Sequence, residues 1–103
     1  MRGDVYALKA PRDARGHEQR GNRFAVVVQS DLLPLSRWLV APTSTSARPA
    51  SFRPEIEVAG KTTYVLVEQT TAVDPERLGE QVGHLSQREM ANVDDALRVI
   101  LDL

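Results

Sequence analysis

A chain of 103 residues, 42% hydrophobic and 26% charged, carries a formal net charge of −1 and no cysteine. That length bounds it to one domain, expected to span residues 1–103, with a single modest core and little surplus stability, so a dimer interface would help it. The missing cysteines exclude disulfide staples and cysteine-based zinc sites and fit a reducing compartment, and the lack of about 18 consecutive apolar residues argues against a membrane-spanning helix.

Met1-Arg2-Gly3-Asp4 leads into an alternating stretch and not into the apolar centre of a secretion signal, so the expectation is a soluble, cytoplasmic protein. Asp4 to Leu8 suits a first strand, with Val5 and Ala7 on one side and Tyr6 and Leu8 on the other. Lys9 to Asn22 holds Pro11, Gly16, Gly21 and many charges, which is turn chemistry, and loops of that length tend to be functional or disordered. Phe24 to Gln29 is short, apolar and β-branched and reads as a buried second strand; Trp38 to Ala41 reads as a third, ended or edged by Pro42. Thr43 to Ser51, rich in hydroxyls and containing Pro49, reads as a loop. Glu55 to Val58 alternates as an exposed strand, Gly60-Lys61 is placed at a hairpin turn, and Thr62 to Val67 returns as its partner. Val73 ends a further short extended piece, and Asp74-Pro75-Glu76 starts a single helical turn.

The tail is the clearest helix. Ser86 can cap it, Glu89 three residues on can complete a capping box, and Leu85 can staple to Met90. Met90, Val93, Leu97, Ile100 and Leu101 then follow helical spacing on one face. Several short strands closed by one helix indicate a mainly β protein built on a small, strongly bent sheet or barrel.

Charge is unevenly distributed. Residues 1 to 53 hold nine Lys/Arg against four acids, a balance of +5, and the remainder carries −6. A sheet that gathers the basic half on one face would attract phosphates although the whole molecule is near neutral. The densest segment, Gly16-His17-Glu18-Gln19-Arg20-Gly21-Asn22-Arg23, sets an imidazole, a carboxylate, an amide and two guanidinium groups in a turn-prone stretch. Arg23 would stand at the mouth of a packed strand.

These residues carry a resemblance. Arg2-Gly3-Asp4-Val5-Tyr6, the run from Gly16 to Arg23 before a valine-rich strand ending in Gln29-Ser30-Asp31, Val40 to Ser46, Val67 to Asp74 and the tail from Gly83 to Leu103 are similar, in order and nearly end to end, to the MazF/Kid/PemK family of toxin endoribonucleases. The resemblance implies an SH3-like barrel of short antiparallel strands with a C-terminal helix. It implies a homodimer that cuts single-stranded RNA at a short preferred sequence, leaving a 2′,3′-cyclic phosphate and a 5′-hydroxyl, with no metal and no cofactor. It also implies a MazE-like antitoxin whose acidic, disordered tail folds into the substrate groove.

RNA carries its own nucleophile, the 2′-hydroxyl, so cleavage needs a base, an acid and a fixed cation on the phosphate. The resemblance places the family's essential arginine at Arg23, whose planar fork of donors suits two phosphate oxygens although it holds its proton too firmly to be a ready acid. Aligning on Pro42 puts Ser44 at the family's catalytic threonine, and Thr45 takes that part if the register slips by one; Thr43 completes the hydroxyl cluster. His17, on the first loop, has the side chain best suited to moving protons near neutrality. Glu18 and Gln19 would order that loop or contact bases. Phe24 replaces a proline common in the family and either stacks on a base or packs in the core. Glu68, before Gln69, matches an acidic position that acts as a base in some members, but Leu66 stands where those members carry an arginine. The expected set is therefore Arg23 and Ser44 for catalysis, with His17, Glu18, Gln19, Phe24, Thr43, Thr45, Glu68 and Gln69 binding substrate. A gyrase-inhibiting toxin of the same fold, or an inactive member that binds RNA or antitoxin, is the alternative.

Overall fold

The computed structural model describes residues 1–9 and 23–103. Among them are seven strands, β1 (Asp4–Leu8), β2 (Phe24–Val27), β3 (Trp38–Ser44), β4 (Glu55–Val58), β5 (Lys61–Val65), β6 (Thr71–Val73) and β7 (Leu78–His84), followed by the helix α1 (Gln87–Leu101). Short 3₁₀ turns cover Val67–Gln69 and Pro75–Arg77. The strands are all antiparallel in the order β4-β5-β3-β2-β1-β7, and β6 also pairs with β3. Because β3 joins β6 through Trp38 to Val40 and β5 through Thr43 and Ser44, it serves two partners along one edge and the sheet curls into a half-barrel.

Alternation along the strands splits the core in two. Val5, Val26, Val28, Ala41, Ile56, Val58, Val65 and Val67 pack against Leu85, Val93 and Ala96 on the helix side. Ala25, Val27, Val40 and Leu78 form a second cluster on the opposite face, covered by Tyr6, Leu8, Trp38 and Val73. The Tyr6 and Trp38 rings meet there, centroids 5.9 Å apart and planes tilted by 58°, a geometry aromatic quadrupoles favour.

The third strand runs through Pro42 to Ser44, beyond the expected end at Ala41. A residue's N–H and C=O point to the same side of a strand, and the Pro42 carbonyl accepts from the Leu66 N–H at 2.8 Å. The proline nitrogen thus faces the gap where β3 leaves β6 and joins β5, where no ladder donor is needed. Strand β7 carries no expectation from the sequence; Gly79, Glu80, Gln81 and Gly83 give it no apolar alternation, and it forms by pairing irregularly along β1.

The β4–β5 turn is Ala59-Gly60, one residue earlier than expected, because Val58 pairs with Lys61. Both turn residues have positive φ, 52° and 79°, as a two-residue hairpin of matching twist requires. Ala59 pays a steric penalty there that asparagine largely avoids. Ala59→Asn should therefore raise stability by about 0.5–1 kcal/mol, read as a higher denaturant midpoint at unchanged slope; an unchanged or lower midpoint counts against this.

The capping box at α1 is present as expected: Ser86 Oγ accepts from the Glu89 N–H, and Glu89 Oε1 accepts from the Ser86 N–H. Glu89 Oε2 also accepts from the Glu57 N–H at 2.9 Å, tying the helix start to β4. Ile100 and Leu101, expected on the core face, are 37% and 59% exposed, so burial ends near Leu97. Burial pushes the Glu89 carboxyl up, but the bonds from Ser86 and Glu57 leave it below its ordinary value. Asp4 behaves likewise: burial raises it, and His84 at 2.6 Å with the Met1 ammonium at 3.0 Å brings it lower. Both carboxylates are depressed in the folded state, so their stabilisation is complete above the unfolded values near pH 4 and drains as pH falls through the folded ones. Glu89→Gln should flatten the acid limb of a stability–pH curve while lowering the neutral plateau; parallel curves for the two proteins would refute the assignment.

Candidate active site

Arg23 immediately precedes β2, and its carbonyl accepts from the Leu8 N–H at 2.9 Å, which holds its backbone beside β1. In the β2–β3 register Ala25 faces Pro42, Val26 faces Ala41 and Val27 faces Val40. Extended by two residues, that register sets Arg23 opposite Ser44. Residues directly opposite one another share a face, and Arg23 has the parity of Ala25 and Val27, so both lie on the face away from the helix. The half-buried Arg23 has no carboxylate partner among the described residues.

Ser44 ends β3, pairs with Tyr64 across β5 and is half-buried. The Ser46 N–H donates to Ser44 Oγ at 3.3 Å, and the two hydroxyls lie 3.3 Å apart, so the next turn orients the serine. Thr43, 2% exposed, has the opposite parity and pairs with Val65 of the helix-side core. Thr45 lies past the strand and is exposed. Phe24 also has the inward parity and packs against the helix-side cluster, so its ring is placed with the core and not beside Arg23.

Glu68 lies in the 3₁₀ turn that follows β5, which is packed beside β3 through the Leu66–Pro42 bond. Its Oε2 accepts from Arg53 Nε at 2.9 Å and Nη2 at 2.6 Å, both side chains being about a quarter exposed. Its Oε1 is buried without a partner among the described residues. Arg53 also donates to the Arg48 carbonyl and lies 5.4 Å from the Phe52 ring centroid. This guanidinium was not singled out in the sequence, since fifteen residues separate it from Glu68 and only the β4–β5 hairpin brings them together. Gln69 is exposed at the end of the turn. His17, Glu18 and Gln19 lie outside the described residues.

A cation at the mouth of a strand and an oriented hydroxyl on the same face are suited to holding an oxyanion such as a phosphodiester. The family described as the PemK-like, MazF-like toxin of type II toxin-antitoxin systems matches residues 1–101. The chain belongs to this family. It is 44% identical to a Mycobacterium tuberculosis protein provisionally named a toxin, with 100% of this chain and 98% of that one covered. It is 32% identical to the endoribonuclease EndoA of Bacillus subtilis, covering 99% and 94%. A mycobacterial endoribonuclease solved with its cognate antitoxin superposes over 100% of this chain and 95% of that one with a TM-score of 0.80 at 18% identity, which shows the shared fold. In this chain the guanidinium beside Glu68 comes from Arg53.

Proposed function

We propose that this MazF-like toxin, an enzyme of the endoribonuclease type, cuts single-stranded RNA at a short preferred sequence without a metal ion, leaving a 2′,3′-cyclic phosphate and a 5′-hydroxyl. What supports the reading is the β2–β3 register, in which Ala25 faces Pro42 and which, carried on by two residues, sets Arg23 opposite Ser44 on one face. The 2′-hydroxyl gives up its proton to a base and its oxygen attacks the adjacent phosphorus in line as the P–O5′ bond breaks and the departing 5′-oxygen takes up a proton, which needs a backbone rotation that an A-form duplex resists. Arg23 binds the phosphate and stabilises the charge that gathers on its oxygens, and the Ser44 hydroxyl donates to one of them. His17, Glu18 and Gln19, with Thr45, Glu68 and Gln69, make up the wider substrate-binding set inferred from the family resemblance, whereas Thr43 and Phe24, which that resemblance also included, pack into the helix-side core and support the strands instead.

The whole chain acts as one toxin domain, in the cytoplasm, as a homodimer restrained by an antitoxin. Apolar surface supports a protein partner: Met1, Leu33 and Leu35 are exposed and, with Val27, Pro34 and Trp38, border a cleft of about 280 Å³ on the face away from the helix. The solved mycobacterial relative is bound to its antitoxin, and the Deinococcus radiodurans relative is a MazE–MazF structure. No helix among the described residues is long and apolar enough to cross a membrane.

Incubating the purified chain with single-stranded RNA in excess EDTA should give fragments with 5′-hydroxyl and cyclic phosphate ends. Cleavage only after a divalent ion is restored would refute the metal-free scheme. No cleavage under either condition, with supercoiling by gyrase inhibited, would favour the gyrase-directed alternative.

A further inference from the structure

The row that holds Arg23 and Ser44 does not stop there. Ser44 pairs with Tyr64, and Tyr64 pairs with Glu55 on the next strand, so Ser44, Tyr64 and Glu55 lie side by side across β3, β5 and β4; the Arg23 carbonyl bonds the Leu8 N–H of β1, and the β2–β3 register carried on by two residues brings Arg23 to the other side of Ser44. Parity keeps the four polar members on one face: Ile56, Thr63 and Val65, each one residue along, are buried, while Glu55 is exposed and Ser44 and Tyr64 are half-buried. Neighbouring strands lie about 4.8 Å apart, so a phosphate held by Arg23 and Ser44 leaves an attached nucleobase within reach of the Tyr64 ring, and its outer edge within reach of Glu55.

Charge decides what each end of the row accepts. A carboxylate beside a phosphate path repels the RNA backbone, whereas a carboxylate facing a base edge accepts from N–H groups. Among the described residues, no side-chain hydrogen bond or ion pair engages either Tyr64 or Glu55. We infer that Tyr64 and Glu55 form the nucleobase subsite of this enzyme, Tyr64 stacking on an unpaired base next to the scissile phosphate and Glu55 reading its Watson–Crick edge. Guanine fits best, since its N1–H and N2–H present two donors to two carboxylate oxygens. Uracil fits worst, since its single N3–H is flanked by carbonyl oxygens that the carboxylate repels. The inference rests on the RNA-cleaving reading of Arg23 and Ser44 and adds the base preference of that same site.

The test uses the full-length protein and two probe sets: oligouridylate RNAs with a single guanine, adenine or cytosine walked along them, and the same set with 2′-O-methyl sugars, which cannot be cleaved by their own 2′-oxygen. In the 2′-O-methyl set, guanine at one position should tighten binding about tenfold over uracil. Glu55→Gln should erase that preference at that position alone while binding of the all-uridine probe stays within about threefold. Tyr64→Ala should weaken binding of every base at that position about tenfold, and Tyr64→Phe should restore it. In the cleavable set the same changes should appear in KM and leave kcat within about threefold. Base preferences unaltered by Glu55→Gln together with unchanged binding on Tyr64→Ala would overturn the inference, and so would a change on Glu55→Gln that is uniform across all probes, the signature of a general charge effect. If the binding preference obeys these rules but nothing is cut, the subsite stands and the cleavage reading falls.

Discussion

Replacing Arg23 with alanine is expected to lower the single-turnover cleavage rate by about a thousandfold or more while leaving the fold intact. Loss of one preorganised donor to a developing oxyanion costs about 10²- to 10³-fold, and a guanidinium contributes both full charge and a two-pronged geometry. Lysine keeps the charge but loses the fork, so Arg23→Lys should recover part of the rate and stay about tenfold or more below the native enzyme. The structural control is favourable, because the contact that anchors residue 23 is its carbonyl bond to the Leu8 N–H, which any side chain preserves. Unfolding midpoints should therefore be close for all three proteins, within about 0.5 kcal/mol. An alanine variant that cuts within threefold of the native rate would remove Arg23 from the site.

How much of this was readable in advance depends on how local each signal is. Strand β1 and strand β4 begin and end where alternation places them, and α1 announces itself through Ser86 and Glu89, whose reciprocal bonds span three residues. Features fixed by distant pairing were not readable. β7 exists because β1 offers it an edge, and its own residues Gly79 to Gly83 would suit a loop equally well. The extension of β3 through Pro42 depends on a partner change that no local pattern encodes. The site divides in the same way. Arg23 and Ser44 could be proposed from a motif and from Pro42, but the Arg53–Glu68 pair and the placement of Tyr64 and Glu55 beside Ser44 require the hairpin register. The helix face was overextended for a related reason: periodicity continues to Leu101, whereas the surface available to cover it ends near Leu97.

Register also separates the hydroxyls of the Thr43-Ser44-Thr45 cluster. Strand periodicity is two, so moving by one residue exchanges faces, and Thr43 is accordingly buried with Val65 while Ser44 shares the face of Arg23. Thr45 lies past the end of β3 and outside that alternation. Ser44→Ala is thus expected to reduce cleavage about 10- to 100-fold, the loss of one neutral donor to a phosphate oxygen, whereas Thr45→Ala should stay within about threefold. Ser44→Thr should retain most of the activity, since the added methyl restricts the side chain at χ1 and leaves the hydroxyl in place. The double variant Arg23→Ala with Ser44→Ala discriminates cooperation from independence: if both groups grip one phosphate, the combined loss falls short of the product of the single losses. A Thr45→Ala loss larger than that of Ser44→Ala would show that the substrate approaches from the turn beyond β3 and not across the row of strands.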